Sequence, residues 1–169
     1  DYHPERMMGN GFFMSTRVFG HEAALKPIAK YEGALQEQFS ARYLDSYPDL
    51  AQEIIAMRIV GPEIAVSDGV TLYLGERRVE VLFLEGHTPA SLGVYLPKER
   101  VLFAGDNVTH GEHPALSQAN SLAWLSTLER IQAMDVEIIV PGAGAPCGKE
   151  ALEPLRAYIV EMRARVEDL

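Results

Sequence analysis

Cysteine is almost missing from this 169-residue chain: Cys147 stands alone. No internal disulfide can form, which points to a reducing compartment, the cytoplasm. An excess of basic residues is missing too. Lys and Arg number 15 against 24 Asp and Glu, a formal net charge of −9. Without a local basic patch, such a surface repels phosphate backbones and anionic lipid, so neither nucleic acid nor a membrane is an expected partner. Long apolar runs are also absent; Ile138-Ile139-Val140 is typical and far short of the roughly 20 residues needed to cross a bilayer. No Ser-His-acid pattern surrounds Thr88 or Ser91, so these read as loop-fixing residues rather than nucleophiles. The chain opens on Asp1 rather than Met, and no charged-then-apolar segment stands at this start, as is also expected where processing has removed one.

What is present is core-forming material. Hydrophobic residues make up 47% of the chain, enough for one soluble α/β domain over residues 1–169. No repeat, low-complexity tract or linker divides it. A short helix is expected over Glu5–Met8, ended by Gly9-Asn10-Gly11, and a short strand over Ser15–Phe19. Residues 21–45 read as helical through Ala24, Leu25, Ile28, Leu35 and Phe39, broken into two pieces by Pro27 and Gly33. Pro48–Met57 reads as another helix. Beyond Gly61-Pro62 the pattern turns to strands: Val70–Leu74, Val79–Leu84, Leu92–Leu96 and Val101–Ala104. A helix follows over Ser121–Met134, capped by Asn120 or Ser121, then a β-branched strand Val136–Val140 and a last amphipathic helix over 149–167.

Three stretches carry ligating side chains. In Asp1-Tyr2-His3, an extended backbone would turn residues 1 and 3 to one side, because the strand period is two. Gly86-His87-Thr88-Pro89 follows one predicted strand and Gly105-Asp106 follows another. Singly, each is an ordinary turn or a hydrogen-bonded histidine. Together, two imidazoles and two carboxylates form a donor set suited to zinc, iron or manganese. His110 and His113, in Thr109-His110-Gly111-Glu112-His113-Pro114, lie on the segment after Asp106. His21 reads as a capping or surface residue, Trp124 as core, and Cys147 as a passive small residue.

The order of these stretches resembles the metallo-β-lactamase fold superfamily. "EGHTPASLGVYLPKERVLFAGDNV" is similar to its Gly-His-Thr-Pro-Gly-Ser loop, the following hairpin and the strand ending in Gly-Asp. "IIVPGAG" is similar to its Pro-Gly-His-Gly strand end, and "DYHPERMMGN" to its His-x-His-x-Asp-His motif. The resemblance implies an αββα sandwich, of which this chain supplies about the C-terminal two-thirds, with a metal site at the edge of the sheets. Carried over by position, the first metal would be held by Asp1, His3, His87 and Asp106. The second would require Glu5, Arg6, Asp106 and Ala143; Ala143 has no donor and Arg6 stays protonated, so the second site is lost.

The resemblance therefore implies a divergent hydrolase holding one divalent metal at most, zinc before iron or manganese, and acting on a small ester, lactone, amide or thioester. Asp106 or Glu5 would be the base, Arg6 would hold a substrate carboxylate or oxyanion, and His110 and His113 would contact substrate. Two other readings follow from the same departures: a metal-free protein that binds a ligand or partner through the old cleft, and a metal-independent enzyme working through Arg6 and Glu5. The family's N-terminal strands are expected on a separate chain in a heterodimer produced by proteolytic processing, or upstream in a longer precursor. A sheet lacking them would expose an unpaired edge and half a core. A single 18.7 kDa species, monodisperse and cooperatively folded alone, contradicts that expectation.

Overall fold

The computed structural model describes residues 1–13, 16–31 and 34–167. The chain forms two compact units, residues 1–65 and 66–169. Among the described residues no helix is long and apolar enough to cross a membrane.

The first unit is mostly short helices. Helix α1 (Pro4–Met7) opens with Pro at its start, where a missing N–H costs nothing, and His3 O accepts the Arg6 N–H at 2.9 Å. The Gly9-Asn10-Gly11 run ends this helix, as expected. It continues as a 3-10 turn over Met8–Phe12. Asn10 Nδ2 donates to Val60 O at 3.0 Å, and a Cβ on Gly11 would lie 2.9 Å from Arg58 O, so this turn is fixed by close approach to the backbone. Strand β1 is Phe19–His21, later than expected; Ser15 and Gly33 lie outside the described residues. His21 caps the 3-10 turn Glu22–Ala24 through Nδ1 accepting from Ala23 N–H, and it is buried rather than on the surface. Helices α2 (Leu25–Ala29), α3 (Ala34–Tyr43) and α4 (Pro48–Ala56) follow, and β2 (Ile64–Val66) pairs with β1.

The second unit is built on a five-stranded sheet in the order β3 (Gly69–Leu74), β4 (Arg77–Phe83), β5 (Leu92–Leu96), β6 (Val101–Thr109), β7 (Ile138–Ala143). The first three pairings are antiparallel. The β6–β7 pair is parallel and needs a crossover, supplied by α5 (Ser121–Ala133). Asn120 caps α5, its Oδ1 accepting the Ala123 N–H at 3.2 Å. A 3-10 turn over Lys149–Ala151 leads into α6 (Leu152–Glu167).

Register assigns the two faces. Tyr95, Leu102 and Ile139 share one row and are buried with Trp124, Leu128 and Ile159 of the helices. The opposite row runs Val70, Val81, Val94, Phe103, Val140 across all five strands without a polar residue. On that face Phe103 is 44% exposed and Ile138 47%.

Strand β6 runs five residues past its expected end at Ala104. Its pairing with β7 shifts register around Gly105, which has φ +56, and resumes at Thr109 opposite Ala143. Asp106 therefore sits within an irregular strand rather than in a loop after it. Such irregularities re-aim side chains beside functional sites.

Candidate functional site

The expected ligands fall two in each unit. In the first, Asp1 and His3 precede α1 without forming a strand. Asp1 Oδ1 accepts the His3 backbone N–H at 2.8 Å and lies 3.5 Å from His3 Nδ1, with both side chains largely buried. Glu5 and Arg6 occupy the exposed turn of α1 that follows. In the second unit, His87 Nε2 lies 3.7 Å from Asp106 Oδ2. His87 Nδ1 is 3.0 Å from Ala115 O. A carbonyl only accepts, so Nδ1 carries the proton and Nε2 presents its lone pair beside the Asp106 carboxylate.

The loop that carries His87 is braced from within. Thr88 N–H donates to Ser91 Oγ at 3.1 Å, Ala90 N–H donates to Thr88 Oγ1 at 3.2 Å, and the two hydroxyls lie 2.9 Å apart. Neither hydroxyl is placed as a nucleophile. Their polar capacity is used in holding the turn.

Glycine at 142 is what leaves room for the carboxylate. A Cβ there would stand 1.9 Å from Asp106 Oδ1 and 2.6 Å from Asp106 N. Gly142→Ala is therefore expected to displace Asp106, and any metal held through that carboxylate should bind about 10-fold or more weakly, the scale set when a ligand's support is disturbed. Wild-type affinity in that variant contradicts this packing.

His110 and His113 are brought to one pocket of about 400 Å³, which Glu112, Glu150 and Tyr158 also line. His110 Nδ1 lies 3.1 Å from Ala145 O, and His113 meets the Tyr158 ring edge-on at 5.0 Å. The carboxyl of Glu150 is held below its ordinary pKa by its own backbone N–H and that of Gly148, with His110 contributing less. Glu150 and Tyr158 have no motif in the sequence, since only the fold brings the 3-10 turn and α6 to the segment after β6.

Ala143, where the resemblance places the second metal's histidine, accepts the His110 backbone N–H at 2.9 Å. It ends β7 as a backbone partner and offers no side-chain donor. Within the second unit, His87 offers a nitrogen donor and Asp106 an oxygen donor of the kind divalent metals take, and Gly142 leaves the space that the Asp106 carboxylate occupies.

Cys147 is buried beside Ile139, with which it exchanges backbone hydrogen bonds. Burial pushes its thiol pKa up, and the nearby Glu150 charge adds to this. A raised folded-state pKa means that its contribution to stability is complete below the unfolded thiol's value, about 8.5, and is lost as pH rises through the folded value. A disulfide reagent at pH 8 is expected to modify Cys147 only as fast as the protein opens. Rapid labelling of the folded protein contradicts this.

Solved structures share this architecture. A metallo-beta-lactamase from Pontibacter korlensis superposes with a TM-score of 0.70 at 18% identity, over 94% of this chain and 65% of that one. Among curated proteins, a hydroxyacylglutathione hydrolase from Mesorhizobium japonicum is 34% identical over 138 residues, 70% of this chain and 52% of its own length. The human acyl-coenzyme A thioesterase MBLAC2 is 26% identical over 150 residues, 84% of this chain and 54% of its own. This chain spans about half the length of the curated relatives it matches. The family described as the Metallo-beta-lactamase superfamily matches residues 2–143. The chain belongs to that superfamily, and the named relatives are hydrolases.

Proposed function

We propose that this protein is a hydrolase acting on a small ester, lactone, amide or thioester, with Asp1, His3, His87 and Asp106 holding one divalent metal ion. Zinc suits the mixed nitrogen and oxygen donors, with iron and manganese as alternatives. The observation that carries the reading is the His87–Asp106 pair, with Nε2 directed at the carboxylate by the bond from Nδ1 to Ala115 O. A metal in this setting supplies Lewis acidity and lowers the pKa of water.

The remaining roles belong to side chains. Asp106 or Glu5 accepts the proton released as water attacks the substrate carbonyl. Arg6 supplies the fixed positive charge that a second cation would otherwise provide, holding a substrate carboxylate or the developing oxyanion. His110 and His113 contact the substrate from their pocket. The relatives support the reaction class: one is named for hydroxyacylglutathione and another for acyl-coenzyme A, both thioesters.

The apolar row Val70, Val81, Val94, Phe103, Val140 supports the further reading that a second β-layer covers this sheet face, whether it comes from the same polypeptide or from a partner chain. Where a partner chain supplies that layer, Phe103→Ser is expected to reduce its co-purification with this chain, and undiminished co-purification contradicts a partner-borne layer.

Hydrolysis of a panel of small esters, lactones and thioesters tests the catalytic proposal. Activity is expected that disappears on dialysis against a chelator and returns with zinc, and that falls in Arg6→Ala. Activity indifferent to chelation points to metal-independent chemistry through Arg6 and Glu5. A folded, metal-free protein without activity points to a binding role.

A further inference from the structure

We propose that Asn107 is a positioning residue that fixes His87 against Asp106, an inference that rests on the metal-centre reading above. Strand β6 carries Asp106 and Asn107 in succession, and their side chains leave the backbone on opposite sides. Asp106 stands beside His87 Nε2, while Asn107 turns into the core with 0% exposure.

Every polar group of that buried amide is engaged. Asn107 Oδ1 accepts the His87 backbone N–H at 2.8 Å, and Nδ2 donates to Leu84 O at 2.5 Å. Its own carbonyl accepts Trp124 Nε1–H at 2.9 Å. One residue thus ties together the segment after β4, the His87 loop and helix α5.

The surroundings leave this arrangement little freedom. A Cβ on Gly86 would lie 2.7 Å from Asn107 Oδ1 and 2.9 Å from the Trp124 ring, so glycine is required for the loop to come so close. Trp124 meets the His87 ring edge-on at 5.8 Å, and Ala115 O accepts from Nδ1. The backbone, ring and Nδ1 of His87 are each held, which leaves Nε2 one direction. Asn107 secures the backbone element of that hold. A fully satisfied buried network specifies a single geometry, and opening it leaves polar groups unpaired.

Two variants and a control test this. Asn107→Ala removes both side-chain bonds. Asn107→Asp keeps an acceptor for the His87 N–H but sets a carboxylate oxygen, which can donate only when protonated, against Leu84 O. Thr127→Val removes the buried bond from Thr127 Oγ1 to Glu85 O, 2.6 Å, in the neighbouring part of the same core, and so reports a general loss of stability. Zinc affinity is read by competition with a chromophoric chelator. The His87 tautomer is read in the metal-free protein by nitrogen-15 NMR.

Asn107→Ala is expected to weaken zinc about 10–100-fold, the range found when groups supporting a ligand are removed. It should also turn the single Nδ1–H tautomer of His87 into a mixture. Asn107→Asp should keep the tautomer and lose less affinity, which decides the matter if the alanine variant does not fold. Wild-type zinc affinity and an unchanged His87 spectrum in Asn107→Ala overturn the proposal, as does an equal effect from Thr127→Val. If the unaltered protein takes up no zinc, the metal-centre reading fails, and the metal-free spectra alone decide whether Asn107 positions His87.

Discussion

Trp124→Ala is expected to lower stability by about 3–5 kcal/mol, the usual cost of emptying a large aromatic site. Trp124 is 0% exposed and belongs to the same core cluster as Leu102, Ile139 and Ile159. Its loss removes apolar burial, leaves Asn107 O without the indole N–H and takes away the wall against the His87 ring. Against a total stability of about 5–15 kcal/mol, that is a large fraction. For a chain of this size the melting temperature should fall by roughly 6–20 °C. The same helix supplies the comparison, since Leu122 is 62% exposed and Leu122→Ala should cost about 0.5 kcal/mol or less. Trp124 is the chain's only tryptophan, so circular dichroism rather than fluorescence must follow the unfolding. An alanine variant with the wild-type midpoint contradicts this account of the core.

Asp106→Ala carries the largest expected effect on activity. The carboxylate faces His87 Nε2 and is a candidate both to ligate metal and to accept the proton, so its removal affects binding and chemistry together. A loss of about 10³-fold or more in kcat/KM is expected, equivalent to about 4 kcal/mol of transition-state stabilisation. Glu5→Gln separates the two candidate bases. If Asp106 is the base, Glu5→Gln leaves kcat within about 10-fold, whereas general-base loss costs about 10²–10⁴-fold. A residual activity in Asp106→Ala within 10-fold of wild type contradicts its assignment.

Strand β3 was legible because Val70 and Leu72 alternate with exposed residues, β4 and β5 because they are short, mostly apolar runs bounded by turns, and α5 because Leu125, Leu128 and Ile131 keep helical spacing after a capping Asn. Beyond Ala104 that legibility stops. Gly105-Asp106 has the chemistry of a turn, yet parallel pairing with β7 carries β6 on to Thr109. Local propensity yields there to a neighbour some thirty-five residues later, which no local pattern reveals. The Gly9-Asn10-Gly11 run ends α1 as its residue types suggest, but the 3-10 turn it forms was not legible, because a contact with Val60, fifty residues away, holds it together.

The candidate ligands were readable from motif order alone. Their supports were not. Asn107 is one polar residue between an acid and a valine, and nothing in that context marks it as buried or names Leu84, His87 and Trp124 as its partners. Gly142 is likewise one glycine among several until the position of the Asp106 carboxylate shows why a side chain cannot fit there. Residue type announces what can bind, whereas the partners that aim it emerge only from tertiary structure.

Metal content tests the central claim most directly. Elemental analysis of the purified protein, with His3→Ala from the first unit and His87→Ala from the second, asks whether residues of both units hold the same ion. One equivalent of zinc, iron or manganese in the unaltered protein, lost in both variants, is the expected result. Two equivalents, no metal in a folded active protein, or metal retained in either variant contradicts it.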